Sequence, residues 1–270
     1  MKKLIFLSLY LVLFWVLSSC NSNQTVASKV AQDSIKVFYT KDGRLAKDTL
    51  DNEQWIYQKE YQVIKKMQMD YGVEMKIGGH KNVIYLEVTR IKEEGSWPKV
   101  VALIDQLTEL KILRLKSEEI NSLDFKQLKK LEGLDIFYPN NLSEILVMPS
   151  LSPNLRSFFV EKSKITQVVF PDTNYSIKYL TIQDTKLQQL DQSIIKLTQL
   201  EHLSLSRNKL QQLPLGLQNL QNLKVVRLNN NQLKDFKFKF PKVTRLTLEG
   251  NPLKGTTSIK KAYPNADVVF

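Results

Sequence analysis

Two histidines and one cysteine are what the 270 residues offer for the commonest nucleophilic or proton-transfer chemistry. His80 lies in "GGHKN" and His202 in "LEHLSL", and spacing assembles no Ser, His and acid set around either. No His or Cys spacing suits a metal, and no glycine-rich phosphate loop occurs. An enzyme is therefore not expected, and no cofactor is implied. Two other chemistries remain. One is modification of the Cys20 thiol, which as the sole cysteine has no intramolecular disulfide to make. The other is non-covalent recognition by Phe137, Phe159 and Tyr179 with Arg114, Asp135 and Glu161 bordering them, aromatic and charged side chains of the kind that binding centres contain. Whether those six residues meet depends on the elements that carry them.

Those elements are set by a recurrence. In "LEHLSLSRNKLQQL", Leu200, Leu203, Leu205, Asn208 and Leu210 follow the order LxxLxLxxNxL. Leu223, Val226, Leu228, Asn231 and Leu233 repeat it after 23 residues, and Val243, Leu246, Leu248, Asn251 and Leu253 after 20 more. Upstream, Ile177, Leu180, Ile182, Thr185 and Leu187 fit, as do Leu155, Phe158, Val160, Ser163 and Ile165. Leu131, Leu134 and Ile136 begin a copy whose turn runs one residue long at "YPNNL", and Leu110, Leu113, Leu115, Glu118 and Ile120 form another. Val83, Leu86 and Val88 come first, and Tyr263, Ala266 and Val268 make a last half-copy.

A period of 20 to 27 residues is that of a stacked solenoid. On these residues, positions 83 to 270 resemble a leucine-rich-repeat domain, departing from it at Thr185, Ser163 and Glu118, where Asn is usual. The resemblance implies an α/β solenoid, a horseshoe with a parallel concave sheet and an irregular or short-helical convex side.

The spacing has its own physical reason. The LxL core alternates with period two, so Leu203 and Leu205 face one side of a short strand while His202, Ser204 and Ser206 face the other. The remaining leucines return the chain along the convex side, where "LPLGLQNLQNL" suits a helical or 3₁₀ segment. A coil can bury its apolar side chains only between neighbours, so the array becomes stable together. Asn208, Asn231 and Asn251 are structural turn residues on this reading, their amides satisfying unpaired N–H and C=O groups of adjacent turns; the alternative is loop asparagines facing water.

Stacking turns equivalent positions into columns on the concave face. Glu87, Arg114, Asp135, Phe159, Thr181 and Ser204 share one column. Tyr179 and His202 lie in the column before it, Lys116, Phe137, Glu161 and Gln183 in the column after it. Phe137, Phe159 and Tyr179 then form a diagonal apolar stripe, either open to a partner or covered by neighbouring loops. Phe236, Phe238 and Phe240 in "DFKFKFPKV" are explained more simply by packing in the convex core than by a lipid-inserting patch.

The chain ends carry other instructions. Residues 1–19 open with Lys2 and Lys3, continue in an apolar run from Leu4 to Leu17 and stop at small residues, the order of a signal peptide. That run is short of the roughly 20 residues a membrane-spanning helix needs. "LSSC", Leu17 to Cys20, resembles a bacterial lipobox, which implies lipid attachment at Cys20 by palmitate-like acyl chains; an ordinary signal with an incidental cysteine is the alternative. Residues 20–50 read as a tether followed by an ambiguous stretch, 34–50, in which "IKVFYT" suits a strand outside the repeat. Residues 51–82 read as an N-terminal helix and hairpin cap. Tyr57, Tyr61, Ile64, Gln68 and Tyr71 follow helical spacing, Asp51 or Asn52 suits the start and Gly72 the stop, Val73, Met75 and Ile77 alternate, and "GGHKN" turns into Val83. Ala266, Val268 and Phe270 are expected to supply a capping strand.

The net charge is +12, and removing Lys2 and Lys3 with the leader leaves +10. Such a surface favours anionic headgroups, envelope polysaccharide or an acidic protein, while the dispersed lysines of an exported protein do not suggest nucleic acid. The expectation is a membrane-anchored, exported binding protein of the bacterial cell envelope, outer membrane or cell surface favoured, whose concave face recognises a protein or glycan. The alternative is an envelope spacer or structural component without a concave-face ligand.

Overall fold

Alternation within each copy makes the strands, and the return of the copies lays them side by side. The computed structural model describes residues 37–38, 58–79, 82–147, 152–171 and 176–270. The segment 1–19, Cys20, the tether, His80 and Tyr57 lie outside them. In chain order the strands are β1 (Val37–Phe38), β2 (Glu74–Gly78), β3 (Tyr85–Arg90), β4 (Ile112–Lys116), β5 (Gly133–Phe137), β6 (Ile145–Val147), β7 (Ser157–Glu161), β8 (Gln167–Val169), β9 (Tyr179–Gln183), β10 (His202–Ser204), β11 (Val225–Arg227), β12 (Arg245–Thr247) and β13 (Asp267–Val269). Among the described residues, all but β6 and β8 form one sheet in the order β1-β2-β3-β4-β5-β7-β9-β10-β11-β12-β13.

From β3 onward the pairing is parallel and its register is that of the repeat. Leu180, Leu203, Val226 and Leu246 are partners on four successive rungs. The same holds for Leu86, Leu113, Leu134 and Phe158. All eight are buried in one continuous core. At about 1.5–3 kcal/mol for each fully buried apolar side chain, every rung depends on its neighbours.

The turns after β5, β7, β9, β10, β11 and β12 have a common device. Tyr138, Lys162, Asp184, Arg207 and Asn230 all have left-handed backbones, with φ between 52° and 57°, and Gly250 has φ 70°. Each stands directly before the residue at the asparagine position: Pro139, Ser163, Thr185, Asn208, Asn231 and Asn251. At Gly250 a Cβ would collide with the Asn230 side chain, which explains glycine there. The extra length at "YPNNL" is accommodated with Pro139 buried at the asparagine position.

On the convex side the long first connection forms helix α2 (Trp97–Ile104). Trp97 is fully buried and its indole N–H donates to the Ser122 carbonyl of the next coil at 2.9 Å. Later coils return through 3₁₀ turns at Gln192–Lys196 and Leu215–Asn219. Between these regions β6 and β8 pair in parallel as a second, two-stranded sheet, an element the repeat pattern does not announce.

At the N-terminal edge, β1 and β2 continue the sheet with antiparallel pairing, and Val37 and Phe38, which belong to the stretch 34–50, form β1. Helix α1 (Gln58–Tyr71) packs against α2 and ends at Gly72, whose φ of 58° lets Val73 N–H reach the Met67 carbonyl at 3.1 Å. The buried face of α1 is Glu60, Val63, Ile64 and Met67; of the stripe read from the spacing, Ile64 is fully buried, Tyr71 packs half-buried against the core, and Tyr61 and Gln68 are half-buried at its border. The rotation of the helix follows from Glu60, whose carboxylate accepts the Val83 N–H at 2.6 Å. At the other end, helix α3 (Thr256–Ala262) precedes β13. Of the residues expected in a capping strand, Val268 lies in β13, Ala266 directly precedes it, and Phe270 lies just beyond it and is 41% exposed.

Candidate recognition face

The concave face carries the columns that the repeat prescribes. Glu87, Arg114, Asp135, Phe159 and Thr181 are direct partners on successive strands, and so are Lys116, Phe137, Glu161 and Gln183. Parallel strands fix these neighbours about 4.8 Å apart.

The chemistry concentrates on β2 to β7. Glu87, almost fully buried, accepts the Tyr85 hydroxyl at 2.6 Å and the Lys116 ammonium at 2.9 Å, with Lys76 at 3.3 Å and the Arg114 guanidinium at 3.8 Å. Burial opposes its charge. The hydrogen bonds from Tyr85 and Lys116 and the charges of Lys116 and Lys76 outweigh that cost and hold the carboxyl below its ordinary value. Arg114 in turn grips Asp135, with both Nε and Nη2 at 3.0 Å from the same carboxylate oxygen. Burial disfavours the charged guanidinium, but Asp135, Tyr85 and Glu87 more than restore it.

Beside this network, Phe137 and Phe159 meet with ring centroids 5.0 Å apart and planes inclined by 39°. The Lys116 ammonium lies 5.5 Å from the Phe137 centroid, a cation–π contact worth about 0.5–1 kcal/mol at a partly exposed site. Glu161, buried at the far side of Phe137, accepts from Gln183 at 3.3 Å and has Arg207 at 3.9 Å. Arg207 is paired more tightly with Asp184, at 2.8 Å.

Of the six residues singled out by sequence, five therefore cluster as Arg114–Asp135 and as Phe137–Phe159 with Glu161 beside them. Tyr179 does not join them. It stacks on His202, its neighbour in the same column, with centroids 4.8 Å apart and planes at 28°. The diagonal stripe is thus two separate ring pairs, and all three aromatic rings of the stripe are half-buried rather than exposed. Burial, with the charge of Arg227, keeps the His202 pKa below its ordinary value, so the imidazole is neutral near pH 7. Sequence reasoning missed Lys76 and the Glu87 knot, because β2 is antiparallel and lies outside the repeat.

Asn208, Asn231 and Asn251 stand behind the C-terminal half of the face. The Asn231 amide nitrogen donates to the Leu205 carbonyl of the preceding coil at 2.8 Å and to Leu228 of its own at 2.9 Å, while its oxygen accepts the Leu210 N–H at 3.0 Å. Asn208 donates likewise to Ile182 and Leu205, and Asn251 to Leu228 and Leu248. Thr185 and Ser163 keep a smaller version, each hydroxyl accepting the N–H two residues on. Glu118 is exposed, and the turn there is held instead by the Ser117 hydroxyl, which accepts the Glu119 N–H.

A family model for leucine-rich repeats, two copies, matches residues 198–242, the stretch that contains Asn208 and Asn231. The leucine-rich-repeat domain of the type III effector XopL superposes with a TM-score of 0.52 at 18% identity, over 82% of this chain and 86% of that one. The fold is that of a leucine-rich-repeat solenoid. Internalin C2 of Listeria monocytogenes is similar at 16% identity over 70% of this chain and 79% of its own, with a TM-score of 0.48. A leucine-rich-repeat protein of Leptospira interrogans is 21% identical over 63% of this chain, with a TM-score of 0.36, and the chain spans 57% of that protein. No curated protein matches. In a solenoid of this kind the backbone is fixed by stacking, so a ligand meets side chains that need little further ordering.

Proposed function

We propose that the protein is an exported, lipid-anchored recognition protein that binds a macromolecular partner on the β4–β7 part of its concave face. The observation that carries this reading is the Phe137–Phe159 pair, half-buried and bounded by side chains already locked by ion pairs: Arg114 on Asp135, and Lys116 on Glu87. An apolar centre with preformed charged borders is the anatomy of a protein-binding hot spot. A glycan on the same face is the second occupant compatible with its chemistry. The anchor rests on Cys20 and the apolar run before it, and a single acyl chain holds a membrane only marginally, so stable attachment needs more than one. Among the described residues no helix is long and apolar enough to cross a membrane.

The test is Phe159→Asp in the full-length chain. Cross-linking in intact envelopes is expected to lose its principal adduct, while circular dichroism and the melting temperature, to within about 3 °C, stay as they were. An unchanged adduct pattern removes the ring pair from the site. Metabolic labelling with a fatty-acid analogue tests the anchor: label is expected on the native chain and absent from Cys20→Ser, and label on both contradicts it.

A further inference from the structure

The residues that precede β4, β5, β7, β9, β10 and β11 form a column of their own, at the margin where the chain enters the sheet. The column reads Lys111, Glu132, Arg156, Lys178, Glu201, Lys224. Its backbone is tied rung to rung: the Lys178 carbonyl accepts the N–H groups of Glu201 and His202, both at 2.9 Å, and the Glu201 carbonyl those of Lys224 and Val225 at 2.8 and 3.2 Å. At the N-terminal end the charges match one to one, Lys111 with Glu132 at 3.2 Å. Further along they do not. Glu201 alone faces Lys178 at 3.2 Å and Lys224 at 2.6 Å, and a third amine, Lys242, is held by the Asn222 side-chain oxygen at 2.9 Å. These groups, with Gln199, line an open groove of about 290 Å³.

We propose that this marginal groove binds an acidic glycan. Three ammonium groups against one carboxylate leave a local excess of positive charge that an anionic ligand can answer. Lys178 and Lys224 rise from strands two apart but converge on the one Glu201 carboxylate, so a single acid group of a ligand can reach both ammonium groups. Gln199 and Asn222 place amides between the cations, where sugar hydroxyls need donors and acceptors. The lining contains no apolar side chain to seat a peptide anchor and no aromatic ring on which a base would stack, which separates this partner from an acidic protein or a nucleic acid. The groove lies outside the Phe137–Phe159 centre and does not depend on it.

The experiment uses the full-length chain in neutral detergent on immobilised hyaluronate, which carries one carboxylate per disaccharide, with dextran as the neutral control. Retention at physiological salt is expected on hyaluronate and not on dextran. The variant Lys178→Gln/Lys224→Gln/Lys242→Gln is expected to bind about tenfold more weakly. Lys254→Gln/Lys260→Gln/Lys261→Gln removes the same charge from exposed lysines elsewhere and is expected to stay within about twofold of the native chain. Equal loss in both triple variants, no retention on hyaluronate, or displacement by polyglutamate or a single-stranded oligonucleotide more effectively than by free hyaluronate at equal charge overturns the proposal. Phe159→Asp leaves this binding intact, so failure here and failure of the concave-face reading are told apart.

Discussion

The two halves of the sheet solve the same folding problem with different means. From β9 to β12 the coils are joined by buried amides, each donating to two coils at once, and the concave face in front of them is largely short, polar side chains such as Thr181, Ser204, Ser206 and Thr247. From β3 to β7 the asparagine position holds Glu118, Pro139 and Ser163, and the coils are joined across the concave face itself, by Glu87 with Lys116 and by Arg114 with Asp135. The difference teaches where chemistry can be placed. A coil pinned from behind carries neutral cross-rung contacts on the front of β9 to β11, such as the Ser206–Asn229 hydrogen bond and the Tyr179–His202 stack. A coil pinned from the front carries its structural charges and its apolar rings on one surface, already oriented for a ligand.

The sharpest break in that contrast is Asn231→Ala. It leaves the Leu205 and Leu228 carbonyls and the Leu210 N–H without their buried partner, which should cost about 3 kcal/mol and lower the melting temperature by roughly 6–12 °C. Glu118→Ala, at the equivalent but exposed position of the front-pinned half, should change stability by less than about 0.5 kcal/mol. Comparable losses at both sites would erase the distinction.

Next in size is Glu87→Gln, which strands Lys116, Lys76 and Arg114 around a neutral amide; a loss of about 2 kcal/mol is expected at pH 7 by chemical denaturation. Because the Glu87 pKa is lowered in the fold, its contribution is fully present above the ordinary carboxylate value and is lost as pH falls through the lowered one. The native chain should therefore lose stability on acidification more steeply than Glu87→Gln. Glu60 has the opposite sign. Burial pushes its carboxyl up against the lowering effect of the Val83 N–H, so its contribution is present at low pH and is lost as pH rises through the raised value. Glu60→Gln, which keeps an acceptor for that N–H, should be neutral or stabilising at pH 7 by up to about 1 kcal/mol.

Legibility followed the same division. The intact copies from Ile177 to Leu253 announce their register because leucine and asparagine recur at fixed offsets, and Leu203, Val226 and Leu246 stand on adjoining rungs. The convex strands β6 and β8 were not legible, since three-residue runs such as "ILV" and "QVV" look like any apolar return segment. The face of α1 was legible only in part: Ile64 and Tyr71 pack as their spacing suggested, but Glu60 did not look like a buried residue, and the helix turns its carboxylate inward to the Val83 N–H. At the candidate site, the columns brought Phe137 beside Phe159, but a column alone does not say which neighbour a ring will choose. Tyr179 chose His202, which lies directly alongside, over Phe159, which lies across a diagonal.

The smallest expected effect tests the turn device common to five of these coils. Lys162 holds a left-handed backbone without being glycine, and its ammonium meets the exposed Tyr138, 3.4 Å from the hydroxyl and 5.0 Å from the ring centroid. Lys162→Gly should relieve the backbone and raise stability by about 0.5 kcal/mol, one or two degrees by calorimetry. A drop instead would mean that the Lys162–Tyr138 contact outweighs the strain.

Hydroxyl-radical footprinting of the full-length chain, in native envelope membranes and after purification, tests the front-pinned half as the recognition surface most directly. Phe137 and Phe159 should be several-fold less reactive in the membranes, where a partner covers them, while Leu215 on the convex side, 81% exposed, reacts equally in both. Equal reactivity of the two phenylalanines in both settings would contradict the account.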